Sequence, residues 1–481
     1  MAINTEANDS VAFPVKPESD ASHAFTTPTA SEETKGAVKH LPSDFYAAFL
    51  TEKAKSREPS AIREILPLEQ TPGIISFLSG KPNPVSFPIT DVQLTIRSAA
   101  DPADAPGTPV TIEKDALNEG LQYGHTMGYK PLLDWLAGFQ THFHGRSLGE
   151  GWRISMGSGA QDLLYKAFNA VLAEGDSILV ESPTYTGILP ILHYIGANII
   201  PVDADEDGLK PSSLNEILEN WPVSKPLPKA LYHVPFGCNP TGITTTEVRR
   251  RDILALSVKY NFIIFEDDPY YFLYYGSRPR PKSYFTLELE QPEVGRVLRF
   301  DSFSKVISAG MRIGFISGPA PLLDAIDKHT ASANEQVSTF TQVVTYTVLK
   351  AWGYDVFWRH TVAISKFYRQ RRDVFWAALH RNLDGLVECS PPDAGMFFWQ
   401  VYFRRSKKFR LKLKGDADDS EAIIRNNAFK HGVLALPGTS FMPDGSKTAY
   451  VRASFSLLEP GVVEEALKRL RKVLLEVRGE Q

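Results

Sequence analysis

A chain of 481 residues, 43% apolar and 22% charged, can bury a full core and is long enough for two ordinary domains, which excludes fibrous and wholly disordered classes. Its formal net charge of -4 is small for that length, so no global field draws it to nucleic acid or to an anionic membrane, and its expected partners are small molecules. The two cysteines, Cys238 and Cys389, can neither frame a disulfide scaffold nor fill a four-ligand zinc site, and they read as free thiols of a reducing compartment.

Residues 1–40 are rich in Ser, Thr, Ala, Pro and acidic groups, lack apolar periodicity and read as a disordered lead-in. They contain no apolar h-region, and the first arginine is Arg57, so neither a secretory signal nor a transit peptide is expected. No apolar stretch approaches the roughly 20 residues of a membrane helix, and the cytosol is the expected location. Residues 41–110 read as an N-terminal arm with part of a small domain. Within it, EPSAIREIL at 58–66 and SGKPNPVSFP at 79–88 are read as shaped loops from their Gly and Pro content.

Residues 111–344 read as a large α/β domain. Its apolar runs are SILVES at 177–182, ALYHVPF at 230–236, FIIFED at 262–267, VLRFDS at 297–302 and RIGFISG at 312–318. Runs of this kind are buried on both faces, which predicts a mainly parallel sheet with helices on each side. Residues 345–481 read as a smaller α+β domain dominated by helical spacing. It has a short apolar turn at GMFFWQVYF and a last helix at EEALKRLRKVLLEV, whose leucines share one face.

Chemistry-bearing residues cluster at the ends of these runs. In FDSFSKVISAGMRIGF a strand ends at Asp301 and opens a turn holding Ser302, Ser304, Lys305 and Arg312. Two hydroxyls and a guanidinium around one lysine make a phosphate cradle beside an amine nucleophile, although most lysines near serines are solvated surface groups. In GSGAQDLLYKAF, Gly157, Ser158 and Gly159 precede a helical pattern whose free N–H groups suit a second anion contact, or simply cap a helix. Asp267 stands at a strand's carboxyl end, where ligands of open α/β sheets bind; there it can pair with a protonated ring nitrogen, or belong to a helix-capping acidic turn. Asn239, on the PFGCNPTG turn, can hydrogen-bond a phenolate oxygen of the same ring, and Tyr185 can lie on a planar group, though NPTG is also a fair turn and aromatic packing is common. Arg452 in YVRASFS sits in an apolar strand pattern, where a bidentate carboxylate ligand would relieve the cost of an unpaired guanidinium.

Together and in this order the boxes PSAIR, GKPNPVSFP, LQYGHTMGY, SGAQDLLYKAF, ESPTYTG, NPTG, EDDPYYF, DSFSKVISAGMRIG, DAGMFFW and VRASFS resemble fold-type I class I aminotransferases. The likeness is to the branch of fungal aromatic-amino-acid and kynurenine/2-aminoadipate aminotransferases, and it runs from about Pro59 to the C-terminus. It implies an α/β large domain with a mixed, mainly parallel seven-stranded sheet, and pyridoxal 5'-phosphate as cofactor. Lys305 would form the cofactor imine, Asp267 would pair with the ring nitrogen, Tyr270 and Asn239 would bind the ring oxygen, and Tyr185 would stack on the ring. Gly159, Ala160, Gln161, Ser302, Ser304 and Arg312 would hold the phosphate. Tyr123 would reach the neighbouring subunit's phosphate in a two-fold homodimer with shared sites. Arg452 would bind the α-carboxylate, with Arg63, Ser79, Gly80 and Phe397 around the side-chain pocket.

The implied reaction is ping-pong transamination of an aromatic, kynurenine-type or 2-aminoadipate-type L-amino acid, with 2-oxoglutarate as the acceptor 2-oxo acid. A lyase or decarboxylase would use Lys305 and Asp267 equally well. An effector sensor in a transcription regulator would need a basic helix-turn-helix ahead of the fold. Three positions depart from the family pattern: Ala160 stands where a Ser or Thr is usual, Ser308-Ala309 replaces Ala-Pro, and Ser79 replaces a glycine. His142-Phe143-His144 reads as a helix end before Gly145 rather than a metal site, the basic run at 404–414 as a solvated loop, and Cys238 as a small buried hydrophobe.

Overall fold

In the computed structural model the described residues are 38–58, 61–65, 68–69, 71–78, 80–401 and 419–479. Nearly all of the expected lead-in, and the basic run at 404–414, lie outside them.

The central sheet is built from the aliphatic runs, as their composition demands: Ile178, Leu179, Val180, Ile263, Ile264, Phe265, Leu298 and Phe300 are all fully buried. Its strands are β3 (Trp152–Gly157), β4 (Ser177–Ser182), β5 (Asn198–Asp205), β6 (Gly208–Leu209), β7 (Ala230–His233), β8 (Ile263–Asp267), β9 (Val297–Ser302) and β10 (Gly314–Pro319). They follow the hairpin of β1 (Gln93–Ile96) and β2 (Thr108–Thr111). The spatial order is β3-β10-β9-β8-β7-β4-β5-β6. Pairings from β9 through β8, β7 and β4 to β5 are parallel, whereas β10 runs antiparallel to both β9 and β3. These are the expected seven strands plus a two-residue eighth, β6, which folds back antiparallel on β5. The strands β3 and β5 were not among the runs singled out from sequence. Arg153 and Ser155 interrupt the first, and the second alternates Pro and Asp with aliphatics because it lies near the sheet edge, half open to water.

Helices cover both faces. Lys130–His144 ends at Gly145 in a left-handed conformation (φ 66°), so the His-Phe-His triplet is a helix end as expected. The His144 ring nitrogen Nδ1 lies 2.9 Å from the Ser283 hydroxyl, and no cluster of potential metal ligands occurs among the described residues. Two expectations change among the prolyl segments. Residues Ala61–Ile65 of the 58–66 segment form a helical turn, because Ala, Ile, Arg and Glu tolerate helix well and Pro59 lies ahead of the first turn. Pro84–Ser86 likewise form a 3₁₀ turn, capped by the Asn83 side chain accepting from Val85 N at 3.0 Å.

Beyond a long helix, Thr339–Leu383, broken at Gly353 (φ 60°), the chain forms a second sheet of order β11-β13-β12. Its strands are β11 (Phe397–Val401), β12 (Leu436–Pro437) and β13 (Tyr450–Ser454). The Phe397–Val401 part of the GMFFWQVYF segment is therefore a strand and not a turn: aromatic residues suit a pleated, half-buried surface, and β13 supplies the ladder, with Trp399 opposite Arg452; the last two residues of the segment lie outside the described ones. The buried face of this sheet presents Phe398, which stacks on Phe375 (4.9 Å) and meets Phe455 (5.5 Å). Leu467, Leu470, Val473 and Leu474 of the last helix, Pro460–Arg478, close the same core. Among the described residues no helix is long and apolar enough to cross a membrane.

Candidate active site

Four neighbouring parallel strands, β4, β7, β8 and β9, end at one edge of the sheet, and the residues that follow them carry the polar groups picked out from sequence. Asp267 is the last residue of β8 and is buried, 4% exposed. Its Oδ2 accepts a hydrogen bond from the buried Tyr232 hydroxyl at 2.6 Å, while Oδ1 is buried with no partner. Burial, opposed by the Tyr232 bond, pushes the carboxyl up to about 6. Holding this group ionised is costly in the free chain, and a cation placed at Oδ1 would return that cost. Below it, Arg299 is fully buried and bonded to Asp268 (2.9 Å) and Asp301 (2.8 Å), with Glu266 at 3.3 Å, so the floor of the site carries more carboxylates than cations.

Lys305 ends the short turn Phe303–Lys305 that follows β9. The Ser302 hydroxyl caps that turn by accepting from Ser304 N at 3.2 Å. Lys305 is half-buried and makes no hydrogen bond or ion pair with the described residues. Burial first, then the Arg312 and Arg452 charges, lower its pKa and so enlarge the share of free amine at a given pH.

Beside the lysine is an anion cradle. Arg312 takes a left-handed backbone (φ 54°), and its guanidinium donates to the Ser304 hydroxyl and the Ala309 carbonyl, each at 3.3 Å, and to the Ser158 carbonyl at 3.1 Å. Gly159 (φ 83°) stands at the N-cap of helix Ala160–Val171, which has no side-chain cap. A Cβ on Gly159 would lie 2.5 Å from Arg312 Nη2, so the guanidinium approaches the helix start only because that residue is glycine. Gln161 donates to the Gly187 carbonyl at 2.7 Å and leaves its Oε1 buried without a partner.

Three further groups close the site. Tyr185, half-buried, has its phenol held above the ordinary value by burial and then by the Asp267 charge, and a Cβ on Gly187 would strike its ring at 2.4 Å. Tyr270 is buried, with its hydroxyl also held far up by burial and by Asp267, and its ring meets Phe397 edge-on at 6.2 Å. Arg452 on β13 donates to Asn239 Oδ1 at 2.9 Å and leaves Nε buried and unpartnered. Its guanidinium lies over the rings of Phe397 (4.4 Å) and Phe441 (5.2 Å), which orient the cation while excluding water.

The structure thus assembles Lys305, Asp267, Tyr185, Asn239, Tyr270, Ser302, Ser304, Arg312, Arg452, Phe397 and the Gly159–Gln161 helix start around one edge of the sheet. Tyr123 and Gly80 are exposed. Ser79 lies outside the described residues; Arg63 falls in the Ala61–Ile65 turn. Sequence reasoning missed Tyr232 and Phe441, for both look like ordinary core aromatics in their local runs. Cys238 is buried, as expected, but is not merely apolar: its thiol donates to Glu181 at 3.3 Å, and burial pushes the thiol far up and Glu181 up to about 8, so neither is a ready nucleophile.

The family model of class I and II aminotransferases matches residues 109–470. An aminotransferase of Emericella nidulans, tdiD, is 40% identical over 416 residues, covering 86% of this chain and 92% of its own. The crystal structure of the aminotransferase Aro8 from Candida albicans superposes with a TM-score of 0.80 at 26% identity, covering 92% of this chain and 100% of that one. A kynurenine aminotransferase from Pyrococcus horikoshii, solved with PMP, has a TM-score of 0.68 at 30% identity and covers 89% of this chain and 98% of its own. Other relatives bear the names of aromatic amino acid and kynurenine/alpha-aminoadipate aminotransferases.

Proposed function

The chain belongs to the class I and II aminotransferases, and from that membership we propose a role for each group at the sheet edge. The enzyme transaminates aromatic or related L-amino acids with pyridoxal 5'-phosphate. The observation that carries the assignment of residues is the orphaned Asp267 Oδ1, a buried acceptor suited to a ring N–H cation, in the same site as a free amine and an anion cradle. The donor set fits the cofactor at each of its polar edges.

Lys305 would hold the cofactor and then, as a free amine, move the proton at the substrate Cα. When bound, the cofactor supplies an electron sink for that carbon, and it does so only while its ring nitrogen is charged. Asp267 would keep that charge, with Tyr232 fixing which carboxylate oxygen faces the ring. Asn239 and Tyr270 would bind the ring oxygen, and Tyr185 would lie on its face. Ser302, Ser304, Arg312 and the backbone of Gly159, Ala160 and Gln161 would hold the phosphate. Ala160 contributes no hydroxyl, which leaves the helix N–H groups to do the work.

Arg452 would take the substrate α-carboxylate with its unpaired guanidinium edge, and Phe397, Arg63, Ser79 and Gly80 would bound the side-chain pocket. Arg452→Leu is expected to lower kcat/KM by about 10²- to 10³-fold, chiefly through KM, since a charged partner is lost from a dry site. Arg452→Lys should recover little of this, because an ammonium cannot make the bidentate contact. Steady-state kinetics on both variants checks it; a KM within twofold of wild type would count against the role.

We place the second substrate as 2-oxoglutarate and the working unit as a homodimer. The dimer is supported by the arm, where Ile75 is 86%, Phe77 99% and Val85 93% exposed, a run of large apolar groups that needs a cover; Tyr123, 56% exposed, would then face a partner's site. Sedimentation at twice the chain mass is the expected result. The two free thiols, Cys238 buried and Cys389 part-buried, fit a reducing compartment, and we place the enzyme in the cytosol, to be checked by cell fractionation.

The reading as a whole is tested by single-turnover reactions with Tyr, Phe, Trp, kynurenine, 2-aminoadipate and Glu, followed by the cofactor's absorbance. Conversion to its amino form by an aromatic amino acid alone supports it. Release of ammonia or carbon dioxide without that conversion would replace it with a lyase or decarboxylase.

A further inference from the structure

Outside the sheet edge, one buried histidine touches the lysine-bearing turn. His360 lies on the Thr339–Leu383 helix past its break at Gly353, is 8% exposed, and packs its ring on Trp352 at 4.5 Å. Its Nε2 is 2.9 Å from the carbonyl of Val306, the residue that follows Lys305. Its Nδ1 is 2.8 Å from the backbone N of Ala99 and 3.5 Å from the Ser98 hydroxyl. A carbonyl only accepts, so Nε2 carries the proton; an amide N–H only donates, so Nδ1 is bare. Both ring nitrogens are committed, and the ring must be neutral to make both bonds.

The turn needs this tie. Its own backbone bonds converge on the Phe303 carbonyl, from Val306 N (3.3 Å), Ile307 N (2.8 Å) and Ser308 N (3.2 Å), with Phe303 N donating to Ile313 and Arg312 to the Ala309 carbonyl; none of them holds the Val306 carbonyl, and Ala309 and Gly310 are exposed. We infer that His360 is a positioning residue for Lys305, a neutral latch that ties the lysine turn through the Val306 carbonyl to the 98–101 loop and the long helix. The inference rests on the reading of Lys305 as the reacting amine, but the latch itself does not.

Protonation would place an N–H at Nδ1 against the N–H of Ala99 and open the loop side of the latch. Burial lowers the His360 pKa, opposed by the Val306 carbonyl and by the Asp101 carboxylate, the charged group facing it from the loop. The sign follows: the latch is complete through neutral pH, and its loop side alone is lost as pH falls below the usual histidine range.

Two substitutions separate the two bonds in the full-length, cofactor-loaded enzyme. In His360→Asn the amide reaches the Nδ1 position and can accept from Ala99 but cannot reach Val306; in His360→Gln it reaches the Nε2 position and can donate to Val306. Hydrogen exchange of the 303–310 segment is expected to quicken about tenfold in the Asn variant and to match wild type in the Gln variant. Turnover should fall about tenfold in the first and stay within twofold in the second, since a displaced lysine misses its proton. In acid the wild type should lose protection of the Ala99 amide while the 303–310 segment keeps its own, because a protonated ring still donates to Val306; the Gln variant, which lacks the acceptor for Ala99, should leave that amide unprotected at every pH. Wild-type exchange in His360→Asn, or equal losses in both variants, would overturn the latch while leaving Lys305 intact. Faster exchange with unchanged turnover would overturn the positioning role, whereas failure of the Lys305 reading shows separately, as activity in Lys305→Ala.

Discussion

Lys305→Ala is expected to lower the single-turnover rate with an aromatic amino acid by about four orders of magnitude or more. In the proposed role the variant would lose both the group that forms the covalent link and the group that transfers the proton, and general base catalysis alone is worth about 10²- to 10⁴-fold. The fold should survive, because Lys305 is half-buried and makes no bond to the described residues, so its removal strands no partner. An unchanged melting temperature beside a lost rate is thus the expected pair of results. A chemical control belongs with it: borohydride reduction of the wild-type enzyme should fix the cofactor to the peptide containing Lys305 and to no other. A variant that still transaminates within tenfold of wild type would remove the lysine from the mechanism.

Asp267→Asn is expected to cost about 10³-fold in turnover, the scale on which a preorganised charge contact acts in a site shut off from water. The amide has the carboxylate's shape but cannot hold a charged ring nitrogen. The pH behaviour makes the test sharper. In the free chain burial pushes the Asp267 carboxyl up to about 6, so as pH falls through that region it takes a proton and stops favouring a cation. A bound cation favours the ionised form and moves this midpoint lower. Cofactor retention, read by absorbance after rapid filtration across a pH series, should therefore weaken on the acid side in wild type. In Asp267→Asn it should be weaker throughout and lack that limb. Tyr232→Phe removes the bond that opposes burial, so its acid limb should move to higher pH. Coincident profiles for wild type and Tyr232→Phe would mean that the 2.6 Å bond does not govern the carboxylate.

Much of this was legible along the chain. Parallel strands buried on both faces have to be continuous aliphatic runs, and a polar residue at the end of such a run or within a few residues of it is one the fold can present at the sheet edge; Asp267 ends β8, and Lys305 and Tyr185 stand three residues past β9 and β4. Strands that break this rule were passed over, β3 for its Arg153 and Ser155, and β5 for its polar edge. β11 was misread as a turn because a strand of the second sheet is only as good as its partner, and that partner, β13, lies some fifty residues further on.

The sequence by itself determined which groups are available, because the amine, the carboxylate, the glycine-led helix start and the arginine within an apolar strand are each announced by residue type and by place in the pattern. Only the tertiary structure decided how those groups are set. Asp267 has one bound and one free oxygen because of a tyrosine 35 positions away, Arg452 is oriented by an asparagine 213 positions away, and the Lys305 turn is held by a histidine whose partner carbonyl is 54 positions away. Protonation and orientation depend on neighbours in space, and the distances in sequence that separate these neighbours leave no local pattern from which to read them.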